Sequence, residues 1–161
     1  MSLDTRAGTV LVAGIGNSDR GDDGIGPVVA RHVAALNLPG VRVVSHAEPL
    51  DLLDDELSAD MLVVVDAVRS GRRPGVVVVR HVDNRALPEW TGAGGTHAVG
   101  LAVSVELARV LGRMPRRLVL VGVEAESFAI GAPLSPAVRA AIAVARDAVA
   151  AVVGSMVGGG R

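Results

Sequence analysis

The stretch VLVAGIGNSDRGDDGIGPVV, residues 10–29, decides the fold of this chain. The apolar run 9–13 stops at Gly14 and is typical of a short buried strand. Gly26 and Pro27 then begin a helical pattern, since proline is well suited to the first turn of a helix. A strand, a tight turn and a helix in immediate succession indicate an α/β protein with a parallel sheet.

The turn between this strand and helix carries three carboxylates, Asp19, Asp22 and Asp23. A turn that binds phosphate offers backbone N–H groups and has no negative charge of its own. The dinucleotide fingerprint also requires a glycine three residues after Gly16, where Asp19 stands. The turn is therefore predicted to contact a cation. Within it, Asp22 is predicted to cap the first helix and complement its dipole.

Apolar runs and helical patterns alternate along the rest of the chain. Further strands are predicted at 41–45, 61–67, 75–81 and 117–126. Helices are predicted at 50–57, at 97–112 with Thr96 as its cap, and from Pro136 to about Val153, with irregular loops at 82–96 and 127–134. The alternation predicts a three-layer α/β/α sandwich with a mostly parallel five-stranded sheet. We expect a single domain over residues 1–161, with 154–161 as a disordered tail.

The composition excludes several classes of function. Aromatic residues are nearly absent, all 16 cationic residues are arginine, and the net charge is −1, so we expect no nucleic-acid partner. The chain has no cysteine, which excludes disulfides, thiolate metal ligands and a cysteine nucleophile. Its apolar runs are strand-sized and no signal peptide is visible, so a cytoplasmic protein without membrane insertion is expected. Neither a G-x-S-x-G elbow nor an H-E-x-x-H helix occurs.

Candidate functional residues follow from the sheet, because functional groups in open α/β sheets gather at the carboxyl ends of strands. The polar residues predicted there are Asn17, His46, Asp19, Asp22, Asp23, Asp66, His97, Glu124 and Glu126. Taken singly, Asp66 and His97 also fit ordinary strand and helix ends. Together with Asp23 they supply two carboxylates and an imidazole from three strand-end loops, a set suited to a divalent transition metal. We therefore predict a metal site at Asp23, Asp66 and His97.

Four separated motifs resemble those of the hydrogenase maturation endopeptidases. GIGNSDRGDDGIGP at 14–27 is similar to the family's first acidic signature, and VVVDAV at 63–68 to its second acidic strand end. GTHAVGL at 95–101 resembles the family's histidine-bearing helix start, and 120–142 its C-terminal pattern. By position, the family's three metal-contacting residues fall on Asp23, Asp66 and His97. Position 19 is often apolar in the family but is Asp19 here. This departure concerns which precursor the protein recognises.

The resemblance implies a hydrolase, an endopeptidase that removes the C-terminal extension of a nickel–iron hydrogenase large-subunit precursor after nickel insertion. The nickel would be carried by the precursor, no organic cofactor is implied, and Asp23, Asp66 and His97 would be catalytic as well as metal-contacting. Three alternatives remain open. They are a self-contained metallopeptidase with its own zinc, a non-catalytic metal-dependent chaperone or binding module for the hydrogenase subunit, and a nucleotide-binding α/β domain.

Overall fold

The computed structural model describes residues 8–54, 59–82 and 96–157, with the backbone alone for 96–100 and 157. The strands are β1 (Val10–Ile15), β2 (Val41–His46), β3 (Met61–Val68), β4 (Val77–Val82) and β5 (Arg117–Glu124). The α-helices are α1 (Ile25–Ala34), α2 (Thr96–Val110), α3 (Pro136–Ala140) and α4 (Ile142–Val157). Two short 3-10 helices, Gly21–Gly24 and Pro49–Leu53, precede α1 and β3.

The five strands form one sheet in the order β2-β1-β3-β5-β4. β2, β1, β3 and β5 are parallel, and β4 at the edge runs antiparallel to β5, which confirms the predicted mostly parallel sheet. From β1 the chain passes first to one neighbour, β2, and then to the other, β3. The strand order therefore reverses between β1 and β3, and this is where open α/β sheets place their functional groups.

Two apolar cores cover the two faces of the sheet. On one face, alternate strand residues pack against α1, α3 and α4; on the other, they pack against α2 and the 3-10 helix Pro49–Leu53. Every residue of β1 is buried, and β3 is nearly so, because both strands are covered on two sides. The predicted three-layer arrangement is confirmed.

Some predicted element boundaries differ from the observed ones. The acidic segment 50–57 forms a 3-10 helix that ends at Leu53, and 55–58 lies outside the described residues. The C-terminal helix is divided at Ala141, whose N–H donates to the Val138 carbonyl in a tightened turn, and it continues to Val157, past the predicted end. Most of the predicted 82–96 loop also lies outside the described residues. Among the helices described, none is long and apolar enough to cross a membrane.

Candidate active site

Helix α1 begins directly against the ends of β1 and β3, because two glycines leave room for the close approach. A Cβ atom on Gly26 would lie 2.6 Å from the Val65 carbonyl oxygen and would overlap that of Ile15. A Cβ atom on Gly14 would lie 2.6 Å from the Gly26 carbonyl carbon and 2.8 Å from the Ala30 Cβ. Gly14 is therefore required for space rather than for a positive φ. The contact holds the acidic turn at the end of β3.

Asp23 is fixed by the backbone of the turn that precedes it. Its Oδ2 accepts a hydrogen bond from the Asn17 N–H at 2.9 Å, and only 5% of the residue is exposed. Gly16 has a φ of +145°, and a Cβ atom there would overlap the Asp23 carbonyl oxygen. The Gly16 N–H in turn donates to the His46 carbonyl at 3.0 Å. The glycine thus lets the turn fold back until Asp23 faces the end of the sheet.

Asp66 lies in β3 opposite Gly122 of β5 and is almost completely buried. Burial raises the pKa of Asp66 well above its ordinary value of 3.8, and the negative charge of Asp23 raises it further, although a backbone hydrogen bond at Ala67 opposes both. The Asp23 carboxylate therefore lies close enough to Asp66 for its charge to act there. No described residue donates a hydrogen bond to the buried Asp66 Oδ1. A buried carboxylate oxygen of this kind favours a proton or a cation.

The predicted capping role of Asp22 is wrong. Its carboxylate accepts hydrogen bonds from the N–H groups of Glu126, Ser127 and Ser135 and from the Ser135 hydroxyl, at 2.7–3.1 Å. Neither the 3-10 helix Gly21–Gly24 nor α1 has a side-chain cap. Burial acts to raise the pKa of Asp22, but the hydrogen bonds outweigh it and leave this pKa below its ordinary value.

The same network explains Ser135, whose functional contact the sequence did not reveal. The Ser135-Pro136 pair indicates a helix start, and Ser135 does precede α3, but its hydroxyl donates to Asp22 instead of capping the helix. The one sequence feature that pointed to this contact is Asp22, a second acid directly beside Asp23. Asp22 and Ser135 therefore connect the acidic turn to the chain that follows β5.

Two of the remaining candidates at this edge, Glu124 and Asn17, have structural roles. Glu124 is 1% exposed, and its carboxylate accepts hydrogen bonds from the Ser70 N–H and hydroxyl and from the Gly71 N–H. The Asn17 side chain accepts a hydrogen bond from the Asp19 N–H at 2.9 Å and shapes the acidic turn. Glu126 is exposed on the chain that follows β5. The Glu124 and Asn17 side chains thus position backbone, so we do not place them among the metal contacts.

His97 occupies the second position of α2, at the helix start where the sequence predicted it. Its side chain, like the preceding 83–95 segment, lies outside the described residues. Within the part of the chain whose side chains are described, no three acidic or histidine residues form a group that could hold a metal ion. The structure brings Asp23 and Asp66 to the same edge of the sheet.

Comparison with known proteins identifies the family of this fold. A family model described as "Hydrogenase maturation protease" matches residues 42–152. The "Hydrogenase 2 maturation protease" of Escherichia coli strain K12 is 33% identical over 150 residues, which cover 88% of this chain and 88% of that protein. "Hydrogenase expression/formation protein HupD" of Thiocapsa roseopersicina is 35% identical over 140 residues, 81% of this chain but only 61% of that protein.

A solved structure agrees with these relatives. The hydrogenase maturating endopeptidase HybD from E. coli superposes with a TM-score of 0.76 and 30% sequence identity, covering 91% of this chain and 93% of that one. The match extends across the sheet and both helical layers. With its α/β/α fold and the acid pair where the strand order reverses, this chain belongs to the hydrogenase maturation protease family and is an endopeptidase.

Proposed function

We propose that this endopeptidase removes the C-terminal extension of a nickel–iron hydrogenase large-subunit precursor after nickel has been inserted. Asp23, Asp66 and His97 contact the nickel that the precursor already holds. The family and the similarity to the Hydrogenase 2 maturation protease of E. coli support the substrate class. The residue assignment rests on the acid pair at the reversal of strand order and on the position of His97 at the start of α2.

The single observation that carries the metal contact is the state of Asp66. This carboxylate is almost completely buried, its Oδ1 has no hydrogen-bond donor among the described residues, and the charge of Asp23 lies close to it. Two such carboxylates repel each other when both are ionised, and a divalent cation removes that repulsion. The donor set fits nickel, because carboxylate oxygens and an imidazole nitrogen are ligands that divalent transition metals take.

Each residue then has a defined task. Asp23 and Asp66 approach the bound metal of the precursor from the protease side and fix the position of the peptide bond next to it. The metal supplies Lewis acidity for the attack of water on that bond. A carboxylate that ligates a metal is a weak base, so Asp23 and Asp66 orient the substrate first and accept a proton only when not coordinated.

The test is digestion of the same precursor with and without bound nickel. We expect the wild-type enzyme to shorten the nickel-loaded precursor and to leave the nickel-free precursor intact, with mass spectrometry reporting the released C-terminal peptide. Equal cleavage of both forms, abolished when the enzyme alone is treated with a chelator, would instead identify a metallopeptidase with its own zinc. Stable binding of the loaded precursor without cleavage would identify a chaperone.

A further inference from the structure

The turn between β3 and β4 has the sequence RSGRR, residues 69–73, and is called the arginine turn here. Arg69, Arg72 and Arg73 are all exposed. β3 reaches the carboxyl edge of the sheet at Val68, and β4 returns from that edge antiparallel to β5, so the turn lies at the same edge as Asp66. Arg69 is three positions after Asp66, which corresponds to about 10 Å along an extended chain.

A buried carboxylate fixes the backbone of the arginine turn. Glu124 accepts hydrogen bonds from the Ser70 N–H at 2.8 Å, the Ser70 hydroxyl at 2.7 Å and the Gly71 N–H at 3.0 Å. At the other side of the turn, the Gly75 N–H donates to the Glu124 carbonyl at 2.8 Å. These bonds hold both ends of the turn on β5. The arginines therefore extend from a fixed support, and less entropy is lost when they bind a ligand.

None of the three arginines of the turn contacts a described carboxylate directly, although the Glu124 carboxylate is linked to Arg72 through the Ser70 hydroxyl. Arg69 donates to the Glu126 carbonyl at 3.1 Å and lies over the Phe128 ring, 4.9 Å from its centroid. Arg72 donates to the Ser70 hydroxyl oxygen at 2.8 Å. These partners are neutral groups, and none of the three arginines takes part in an ion pair within the described part of the chain. Three guanidinium charges thus remain available to an anionic ligand.

The carboxyl edge is consequently divided by charge. The side at Asp23 and Asp66 favours a cation, and the side at the arginine turn favours anions, although the chain as a whole has a net charge of only −1. A substrate complementary to this edge carries a metal ion and, on the side of the arginine turn, negatively charged groups. Guanidinium groups bind carboxylates through two parallel hydrogen bonds, and acidic side chains are the common anions of a polypeptide.

We infer that the arginine turn binds acidic side chains of the substrate polypeptide and so orients the precursor on the protease. This inference rests on the proposed function, since it assigns a recognition surface to the same substrate. Arg72 and Arg73 make the contacts with the substrate. Arg69 supports the surface through Glu126 and Phe128. The arginine turn acts in binding and takes no part in the chemistry at Asp23 and Asp66.

The test compares the double variant Arg72→Gln/Arg73→Gln with the charge-preserving Arg72→Lys/Arg73→Lys. Arg42→Gln is the matched control, because Arg42 is an exposed arginine at the amino end of β2, on the opposite edge of the sheet. With nickel-loaded precursor, the glutamine variant should raise KM about fivefold to tenfold and leave kcat within about twofold. The lysine variant should recover most of the loss, and Arg42→Gln should match the wild type. Added salt should raise KM for the wild type more than for the glutamine variant.

A binding measurement separates this inference from the proposed function. Octaglutamate and octaglutamine peptides are titrated into the wild type and the glutamine variant at low salt, with no precursor present. We expect octaglutamate to bind the wild type more tightly than the variant, and octaglutamine to bind neither. If the wild type fails to process any precursor, the proposed function fails, and the peptide result alone decides on the arginine turn. An unchanged KM in a working assay, or equal octaglutamate binding where no assay works, overturns the inference.

Discussion

Asp22 and Ser135 lie 113 positions apart in the chain, yet the Asp22 carboxylate accepts hydrogen bonds from both the Ser135 N–H, at 2.7 Å, and its hydroxyl, at 2.9 Å. The N–H groups of Glu126 and Ser127 donate to the same carboxylate. Because Asp23 is the next residue, this network holds the acidic turn against the chain that follows β5. The position of the Asp23 side chain therefore depends on a partner from the far end of the sequence.

Replacement of Asp22 by asparagine should destabilise the protein. The amide would present donors to a site that already contains four donors, and a hydrogen bond to a charged group contributes about 1.5–3 kcal/mol. We expect a loss of about 2–4 kcal/mol in the free energy of unfolding, measured by urea denaturation at pH 7. The loss should shrink in acid, because the pKa of Asp22 is lowered in the fold and its contribution disappears as the pH falls through that value. An unchanged midpoint at pH 7 would contradict the role of the network.

Asp66→Asn should have the opposite effect on stability. The folded-state pKa of Asp66 lies above 3.8, so ionisation opposes folding, and wild-type stability falls as the pH rises from 3.8 through the folded pKa. Above that range the asparagine variant should have the higher melting temperature, and in acid the two should converge. Asp51→Asn, at an exposed position of the 3-10 helix Pro49–Leu53, is the control and should show no such gain. A variant less stable than the wild type at pH 7 would refute the charge argument.

The same Asp66→Asn variant and His97→Ala should fail to process nickel-loaded precursor while remaining folded. We expect the rate to fall about a hundredfold or more, the range associated with loss of a group that acts at the reacting centre. Asp51→Asn and His81→Ala are matched controls, since both residues are exposed and neither belongs to the proposed site. Circular dichroism establishes that each variant is folded. Near-normal processing by either site variant would remove that residue from the site.

Gly16→Ala should damage the protein more than Gly40→Ala. Both glycines have positive φ angles, +145° and +72°, so both substitutions introduce backbone strain of about 1–2 kcal/mol. Only at Gly16 would the new Cβ overlap another atom, the Asp23 carbonyl oxygen, whereas Gly40 has no neighbour within 4 Å. The overlap should add about 1–3 kcal/mol and displace Asp23. Equal melting temperatures and equal processing rates for the two variants would show that the turn is not constrained as described.

Reagents that modify cysteine or active serine should leave processing intact. The chain has no cysteine and no nucleophile elbow, so we expect iodoacetamide and fluorophosphonates to be without effect on the initial rate. The precursor is added only after excess reagent has been removed, so that the enzyme alone is modified. Complete inactivation by a fluorophosphonate would reveal a serine nucleophile and exclude the proposed mechanism.

The fold could be predicted from sequence because its strands are covered on both faces. The runs at 61–67 and 117–126 are continuously apolar over most of their length, which is the pattern of central parallel strands. The pattern does not specify where a helix is interrupted, as at Ala141, since that depends on one local hydrogen bond. It also could not identify 49–53 as a 3-10 helix, because so short a segment has too few residues to display a helical period.

Only those features of the candidate site that follow from a residue's place at the end of a strand or turn could be predicted from the sequence. Asp66 follows an apolar strand and Asp23 follows a glycine turn, so the sequence alone predicts both at the carboxyl edge of the sheet. The partner of Asp22 could not be predicted, since its hydrogen bonds come from residues more than 100 positions away. The same applies to Glu124, whose carboxylate reaches back to Ser70. The sequence does not distinguish these buried carboxylates from one another. Only the hydrogen-bond donors around each one show whether it fixes backbone, as Asp22 and Glu124 do, or has an oxygen without a donor among the described residues, as Asp66 does.

The strand order has a consequence for how the enzyme matures. β1 pairs only with strands that arrive later in the chain, and its acidic turn needs donors from 126–135, beyond β5. During synthesis on the ribosome, the Asp22 carboxylate has none of these partners until almost the whole domain has emerged. Pairing between such distant segments is also slow, because the entropy cost of closing the loop is met before the stabilising contacts form. The acid pair should thus reach its working geometry as a late event of folding.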